Sequence, residues 1–89
     1  MPVHTVYADF HNADSKGRVR LNGVGTIRDL AEKRIVLSEG LRLTLSDDDL
    51  QTEGTVLFAE DERLRVAVID WNAIRERAVT PETTLIIQA

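Results

Sequence analysis

The segment from Glu53 to Trp71, EGTVLFAEDERLRVAVIDW, constrains the fold more than any other part of this chain. Two runs of β-branched and apolar residues flank one charged turn at residues 60–63, a pattern typical of a β-hairpin. Placing Ala59 opposite Leu64 sets the register, because every other pair then follows by counting along the two strands. The pairs that follow are Phe58 with Arg65, Leu57 with Val66 and Val56 with Ala67.

Both faces of this hairpin carry apolar side chains. One face holds Leu57, Ala59, Leu64, Val66 and Val68, and the other holds Val56, Phe58, Ala67, Ile69 and Trp71 together with Arg65. A strand pair that is apolar on both sides needs cover from two directions, as in a small closed barrel or in a sheet between other elements. The sequence therefore predicts a mainly β fold.

Length and composition favour one small domain over residues 1–89. The apolar runs are short, that from Val66 to Ile69 being among the longest, and none could cross a membrane. The first ten residues, MPVHTVYADF, lack the basic start and the long apolar stretch of a signal peptide, so we expect a cytoplasmic location. Cysteine is absent, which excludes disulfides and thiolate metal sites, and no motif indicates a cofactor.

The net charge of −4 is distributed unevenly along the chain. Residues 1–42 carry seven Lys or Arg against five Asp or Glu, whereas residues 43–89 carry four against ten. A domain with this acidic balance lacks the broad positive field that drives most nucleic-acid binding, so composition argues against that class.

The front of the chain predicts two paired strands. Residues 3–11 alternate between apolar and polar as a half-buried strand does, and residues 12–17 have turn composition. Residues 18–26 alternate again, so we expect a hairpin between these two strands. Gly23 and Gly25 indicate a bend or the close approach of another backbone.

A short helix and a third strand follow. Thr26 and Asp29 resemble a capping box, which predicts a helix start at Thr26. Its apolar face, which would cover the sheet, consists of Ile27, Leu30 and Ala31. Residues 41–46 alternate as a strand, and residues 47–53 predict a solvated connection into the central hairpin.

This order of elements resembles that of SH3-like small barrels. The likeness rests on glycine-led strands at Gly40 and Gly54, on the tight hairpin between Ala59 and Leu64, and on a single helical turn after Trp71. It covers roughly residues 18–89. It implies a closed barrel of five to six strands, with one short helix between the second and third strands as a departure from the plain SH3 order. The phrases ADFHNAD, GRVRLNGVGTIRDLA and AVIDWNAIR also resemble a group of small uncharacterised bacterial proteins, which implies no activity.

Two acidic clusters are candidate metal sites. Asp9, His11 and Asp14 could hold a divalent cation or transfer protons, which would make the chain a metal-dependent enzyme. The turn role explains Asp14 better than a metal site does, and residues 47–49 lack the ligand spacing of a calcium loop. Because no catalytic or metal-binding motif occurs in the sequence, we predict neither an enzyme nor a metal site.

The front half contains six cations that could form a basic face, namely Arg18, Arg20, Arg28, Lys33, Arg34 and Arg42. With Tyr7 near them they could bind a nucleic-acid backbone, which is the alternative function we carry forward. The favoured interpretation is that they neutralise acidic residues of the back half or of a neighbouring subunit.

Aromatic residues give a further candidate site. Trp71 ends a strand where small barrels often expose a binding groove, and it is equally often a core residue. If it is partly exposed near Tyr7 and Phe58, the three predict a groove for a protein partner.

The last strand is predicted at residues 83–88, where Thr84, Leu85, Ile86 and Ile87 have high β propensity and no charge. A free edge of this kind invites pairing with other chains. It would close the chain's own barrel or add to a neighbour's sheet, and we favour the second, which predicts a homo-oligomer. The leading functional hypothesis is a non-enzymatic, self-associating protein-interaction module.

Overall fold

The computed structural model describes residues 4–76 of the chain, and the predicted strand at residues 83–88 lies outside them. The elements, in chain order, are β1 (His4–Tyr7), β2 (Val19–Arg20), helix α1 (Val24–Lys33), β3 (Arg42–Ser46), β4 (Leu50–Ala59), β5 (Leu64–Ile69), a 3₁₀ turn (Trp71–Ala73) and β6 (Arg75–Glu76). The fold is mainly β, and its one α-helix among these residues lies between the second and third strands, as predicted.

The strands form one sheet in the order β1-β3-β4-β5-β2, and β6 pairs with the start of β4. The central hairpin has the predicted register, from Ala59 opposite Leu64 to Val56 opposite Ala67. Its turn contains Arg63 at a φ of 57°, a left-handed conformation that allows the chain to reverse tightly. The register prediction is therefore confirmed.

Strand β4 organises the sheet because three strands pair with it. Its first half pairs with β3, its second half pairs with β5, and its first two residues also pair with β6. Gly54 lies where β3 and β5 both flank β4, and a Cβ there would meet Ile69 Cγ2 at 2.9 Å. Glycine at this position therefore allows the close approach of β5.

The hydrophobic core lies on one face of the sheet. It consists of Val6, Ala8, Phe10, Val19, Leu21, Leu43, Leu45, Val56 and Ala67. On the opposite face, Val66 and Ala59 are also buried. Both faces of the hairpin thus contribute buried side chains, as its apolar pattern predicts.

Helix α1 lies along the outer edge of β1. The Thr26 hydroxyl donates to the carbonyl oxygen of Tyr7 at 2.8 Å, and the Asp29 carboxylate accepts the Tyr7 N–H at 2.8 Å. Lys33 donates to the carbonyl oxygen of Thr5. Three side chains spaced i, i+3 and i+7 therefore satisfy backbone groups that an edge strand would leave without partners.

The prediction of a capping box is wrong, because its two residues bond to β1 instead of to the first turn of the helix. The helix begins at Val24 after Gly23, and no side chain caps its first turn. Thr26 and Asp29 are instead bonded to Tyr7. Because capping residues and edge-binding residues are both short and polar, the sequence pattern alone does not separate the two roles.

The sheet is open, so the closed barrel predicted for this part of the chain is not formed. Strands β1 and β2 are the two ends of the strand order and do not pair with each other. The predicted hairpin between β1 and β2 is wrong, because β1 pairs in parallel with β3 instead. Residues 12–17 do turn, and this turn bonds to β2, since Ala13 forms an isolated antiparallel bridge with Val19 and the Arg20 N–H donates to the Asn12 carbonyl. Residues 50–53 belong to β4 rather than to a solvated connection.

Replacing Thr26 with valine should destabilise the fold, because Thr26 is 2% exposed and its hydroxyl satisfies the Tyr7 carbonyl. We expect a loss of about 1–2 kcal/mol in the free energy of unfolding, measured by urea denaturation. Thr5→Val on β1 is the matched control, since Thr5 is exposed, and should change stability by less than about 0.5 kcal/mol. Equal effects of the two variants would contradict this role for Thr26.

Candidate interaction surfaces

Two front-half arginines join the turn at residues 14–17 to the tip of the central hairpin. Arg18 bonds Asp14 at 2.6 Å and Asp61 at 3.0 Å. Arg20 holds Glu62 through two bonds of 2.7 Å, from Nε and from Nη2, a bidentate geometry. This turn-clamp cluster contains Asp14, Arg18, Arg20, Asp61 and Glu62. It places Arg18 and Arg20 against acids of the back half, which is the arrangement that the favoured interpretation of these arginines requires.

The turn-clamp cluster holds its acids in the charged form. Hydrogen bonding to Arg18 lowers the pKa of Asp61 below its ordinary value of 3.8, and hydrogen bonding to Arg20 lowers the pKa of Glu62 below its ordinary value of 4.5. Burial works to raise the pKa of Asp14, but bonds from the N–H groups and guanidinium of Arg18 and from the N–H of Lys16 lower it on balance. All three carboxylates are therefore ionised near neutral pH.

The acidic cluster at Asp9, His11 and Asp14 does not converge on a common point. Asp9 accepts the backbone N–H of His11 at 2.9 Å, and the Asp14 side chain is 1% exposed beneath Arg18. Asp14 accepts the N–H groups of Lys16 and Arg18 as well as the Arg18 guanidinium. Across residues 4–76, no three His, Asp or Glu side chains are grouped as metal ligands would be.

The remaining front-half cations are dispersed. Lys33 bonds Asp29 at 3.2 Å, and Arg42 bonds Glu53 and Thr55 at 3.0 Å each. Arg28 and Arg34 are exposed and make no ion pair with the part of the chain that the structure describes. Arg34 ends α1 in a left-handed conformation at φ 56°.

The three candidate aromatic residues have different neighbours. Trp71 packs edge-on against Phe10 at 6.5 Å and donates its indole N–H to the Gly17 carbonyl at 2.7 Å. Phe58 lies under the Arg65 guanidinium at 5.5 Å. Tyr7 lies against Gly25, whose Cβ, if present, would be 2.9 Å from the ring. Each ring is at least 40% exposed, and Phe10 with Trp71 is the only ring contact among residues 4–76, so none of the three candidate rings contacts another there.

Helix α1 presents a surface that the sequence reasoning missed. Ile27 and Ala31, predicted to cover the sheet together with Leu30, are exposed, and only Leu30 packs against the core. Val24 is 76% exposed and Ile27 is 54% exposed. The available signal was the spacing of Thr26, Asp29 and Lys33, which puts three polar residues on the side of the helix opposite Val24, Ile27 and Ala31.

A depression of about 560 Å³ lies beside β6 and is lined also by residues of β3, β4 and β5. Arg42 and Arg75 line it together with Glu53 and Asp70. Because both signs of charge are present, the depression has no excess of positive charge to attract a phosphate backbone.

Comparison of the chain with protein-family models, with curated proteins and with solved structures gave no match. Kinship with SH3-like domains and a cytoplasmic location therefore both stay predictions. Within residues 4–76 no helix is long and apolar enough to cross a bilayer. The predicted oligomer interface at Thr84, Leu85, Ile86 and Ile87 lies outside the described residues.

The turn-clamp cluster predicts acid-sensitive stability. Because the pKa values of Asp14, Asp61 and Glu62 are lowered by folding, the unfolded chain binds more protons than the folded protein in acid. The stability that these groups contribute should be fully present above about pH 5 and be lost progressively as pH falls below the ordinary values of 3.8 and 4.5 toward the lowered pKa values of the folded protein. Thermal unfolding followed by circular dichroism between pH 7 and pH 3 measures this.

The double variant Asp61→Asn, Glu62→Gln should melt lower at pH 7 and show a shallower decline in acid. Asp48→Asn is the matched control, because Asp48 is an exposed acid in the turn between β3 and β4. It should follow the wild-type curve. A double variant that declines as steeply as wild type would contradict the assignment.

Proposed function

We propose that this chain is a non-enzymatic protein-interaction module that self-associates. The observation that carries the proposal is the number of large hydrophobic side chains left in solvent. Among residues 4–76, seven are at least 40% exposed, and they are Tyr7, Val24, Ile27, Val36, Phe58, Val68 and Trp71. Single exposed apolar residues are ordinary, but several on one element indicate a contact surface. Helix α1 carries two of these seven, and a third, Val36, follows it closely.

The hydrogen bonds at the edges of the sheet limit where a strand of a second copy could pair. Backbone groups on the outer edge of β1 are already bonded to α1, and the Phe58 N–H on β4 donates to the Glu39 carboxylate. Strand β6, by contrast, pairs only with β4 among residues 4–76. An incoming strand such as Thr84 to Ile87 of a second copy would therefore find its accessible edge at β6 rather than at β1.

Nucleic-acid binding is the weaker candidate. Arg18 and Arg20 are occupied by Asp14, Asp61 and Glu62, so their charge is locally neutralised. Arg28 and Arg34 are the front-half arginines that remain without acidic partners among the described residues, and two cations give a small electrostatic contribution.

Light scattering after size exclusion tests self-association. We expect full-length protein at tens of micromolar to have a mass above that of one chain, with a concentration-dependent distribution. A truncation before Thr83 should lower the mass if the C-terminal residues contribute to association. A mass of one chain at every concentration would reject self-association, and an unchanged oligomer after truncation would place the interface elsewhere.

Mobility-shift assays at low salt separate the two functions. We expect no retardation of single- or double-stranded DNA or RNA by the wild-type protein. The informative variant is Arg28→Ala with Arg34→Ala, because it leaves the turn-clamp cluster intact, and Arg63→Ala with Arg75→Ala serves as the control, since it removes the same charge from two other exposed arginines. Retardation that falls steeply with salt and is lost in the double variant alone would replace the proposal with nucleic-acid binding.

A further inference from the structure

Helix α1 has the reverse of the usual amphipathic orientation. Its polar side chains Thr26, Asp29 and Lys33 face β1 and bond to its backbone. Val24, Ile27 and Ala31 occupy the opposite side at i, i+3 and i+7 spacing, and all three are exposed. A globular helix normally buries its apolar side, but this α1 stripe (Val24, Ile27 and Ala31) is not covered by any part of the chain between residues 4 and 76.

Tyr7 adds an exposed aromatic ring beside the first turn of α1. Its ring is 40% exposed and lies against Gly25, directly after the first stripe residue Val24. The absence of a side chain at Gly25 allows the ring to approach the helix closely, because a Cβ there would be 2.9 Å from Cδ2 and 3.0 Å from Cε2.

Two opposite charges flank the α1 stripe. Arg28 and Glu32 are four residues apart, so they lie on the same side of the helix. Both are exposed, and neither forms an ion pair with any residue between 4 and 76. A flank that carries one charge of each sign along its length is complementary to itself when a second copy runs in the opposite direction.

We propose that the α1 stripe packs against the α1 stripe of a second copy in an antiparallel, two-fold symmetric pair. With the axis near the middle of the helix, Ile27 contacts Ala31 of the second copy, and Arg28 meets its Glu32. This inference rests on the proposed self-association and assigns α1 as a contact surface for it, separate from strand addition at β6. The helix is only about 15 Å long, so the contact buries less than the roughly 1,200 Å² of a stable complex, and the pair exchanges rapidly.

Charge reversal tests the pairing. Arg28→Glu alone and Glu32→Arg alone each replace two attractive contacts with repulsive ones, and each should weaken the dimer by about tenfold. An equimolar mixture of the two variants restores both attractions, and the double variant in one chain does the same. Sedimentation velocity on each sample measures the dimer fraction, and Glu60→Arg in the hairpin turn is the charge-matched control that should leave it unchanged.

Engineered cysteines give an independent readout, because the natural chain contains none. Ile27→Cys mixed with Ala31→Cys should form an intermolecular disulfide in higher yield than either variant alone, since the two positions face each other across the axis. Thermal unfolding of each variant checks that the fold is retained.

Three results would overturn this inference. A dimer that both Arg28→Glu alone and Glu32→Arg alone leave intact would show that association uses another surface, and the proposed module would stand. Equal disulfide yield from the mixture and from each variant alone would exclude the antiparallel register. A thiol at Ala31→Cys that is protected in a monomer until residues 83–89 are removed would assign the stripe to the chain's own C-terminal segment.

Discussion

The outer edge of β1 carries backbone N–H and carbonyl groups that no neighbouring strand satisfies, and this constraint sets which side of α1 faces the sheet. Tyr7 presents both its N–H and its carbonyl oxygen there, and α1 satisfies them with Thr26 and Asp29. A buried or half-buried backbone group without a partner costs more than a typical hydrogen bond contributes, so this requirement governs the helix orientation. Once the polar side of α1 faces the strand, its apolar side has to face outward.

The central hairpin was predictable because its information is local. Residues 53–71 contain two β-prone runs, a charged turn and apolar residues on both faces, and these set the register from Ala59–Leu64 to Val56–Ala67 without reference to the rest of the chain. The third strand was predictable for the same reason, since Leu43 and Leu45 alternate with polar residues and are fully buried. The turn at residues 12–17 also follows from residue type alone.

Long-range arrangement was not predictable from these patterns. Nothing in residues 3–11 distinguishes a strand that pairs with its sequence neighbour from one that pairs in parallel with β3 across an intervening helix. Thr26 and Asp29 fit the capping pattern and the edge-binding role equally well. Of the candidate sites, the proximity of Arg18 and Arg20 to the acidic half was anticipated. The lack of ring contacts among Tyr7, Phe58 and Trp71 was not anticipated, because the sequence does not indicate how far apart in space aromatic residues at distant positions lie.

The distribution of charge also separates stability from recognition. Arg18 and Arg20 hold the turn at residues 14–17 against the hairpin tip. The acids that they bind there neutralise their positive charge. Arg28 and Glu32 make no such contact within residues 4–76, although both sit on a well-formed helix. Charged side chains that make no ion pair within the fold remain hydrated. They can form an ion pair with a second protein at little cost in free energy. The edge interactions that orient α1 thus place an apolar stripe and an unused pair of opposite charges on the same side of one element.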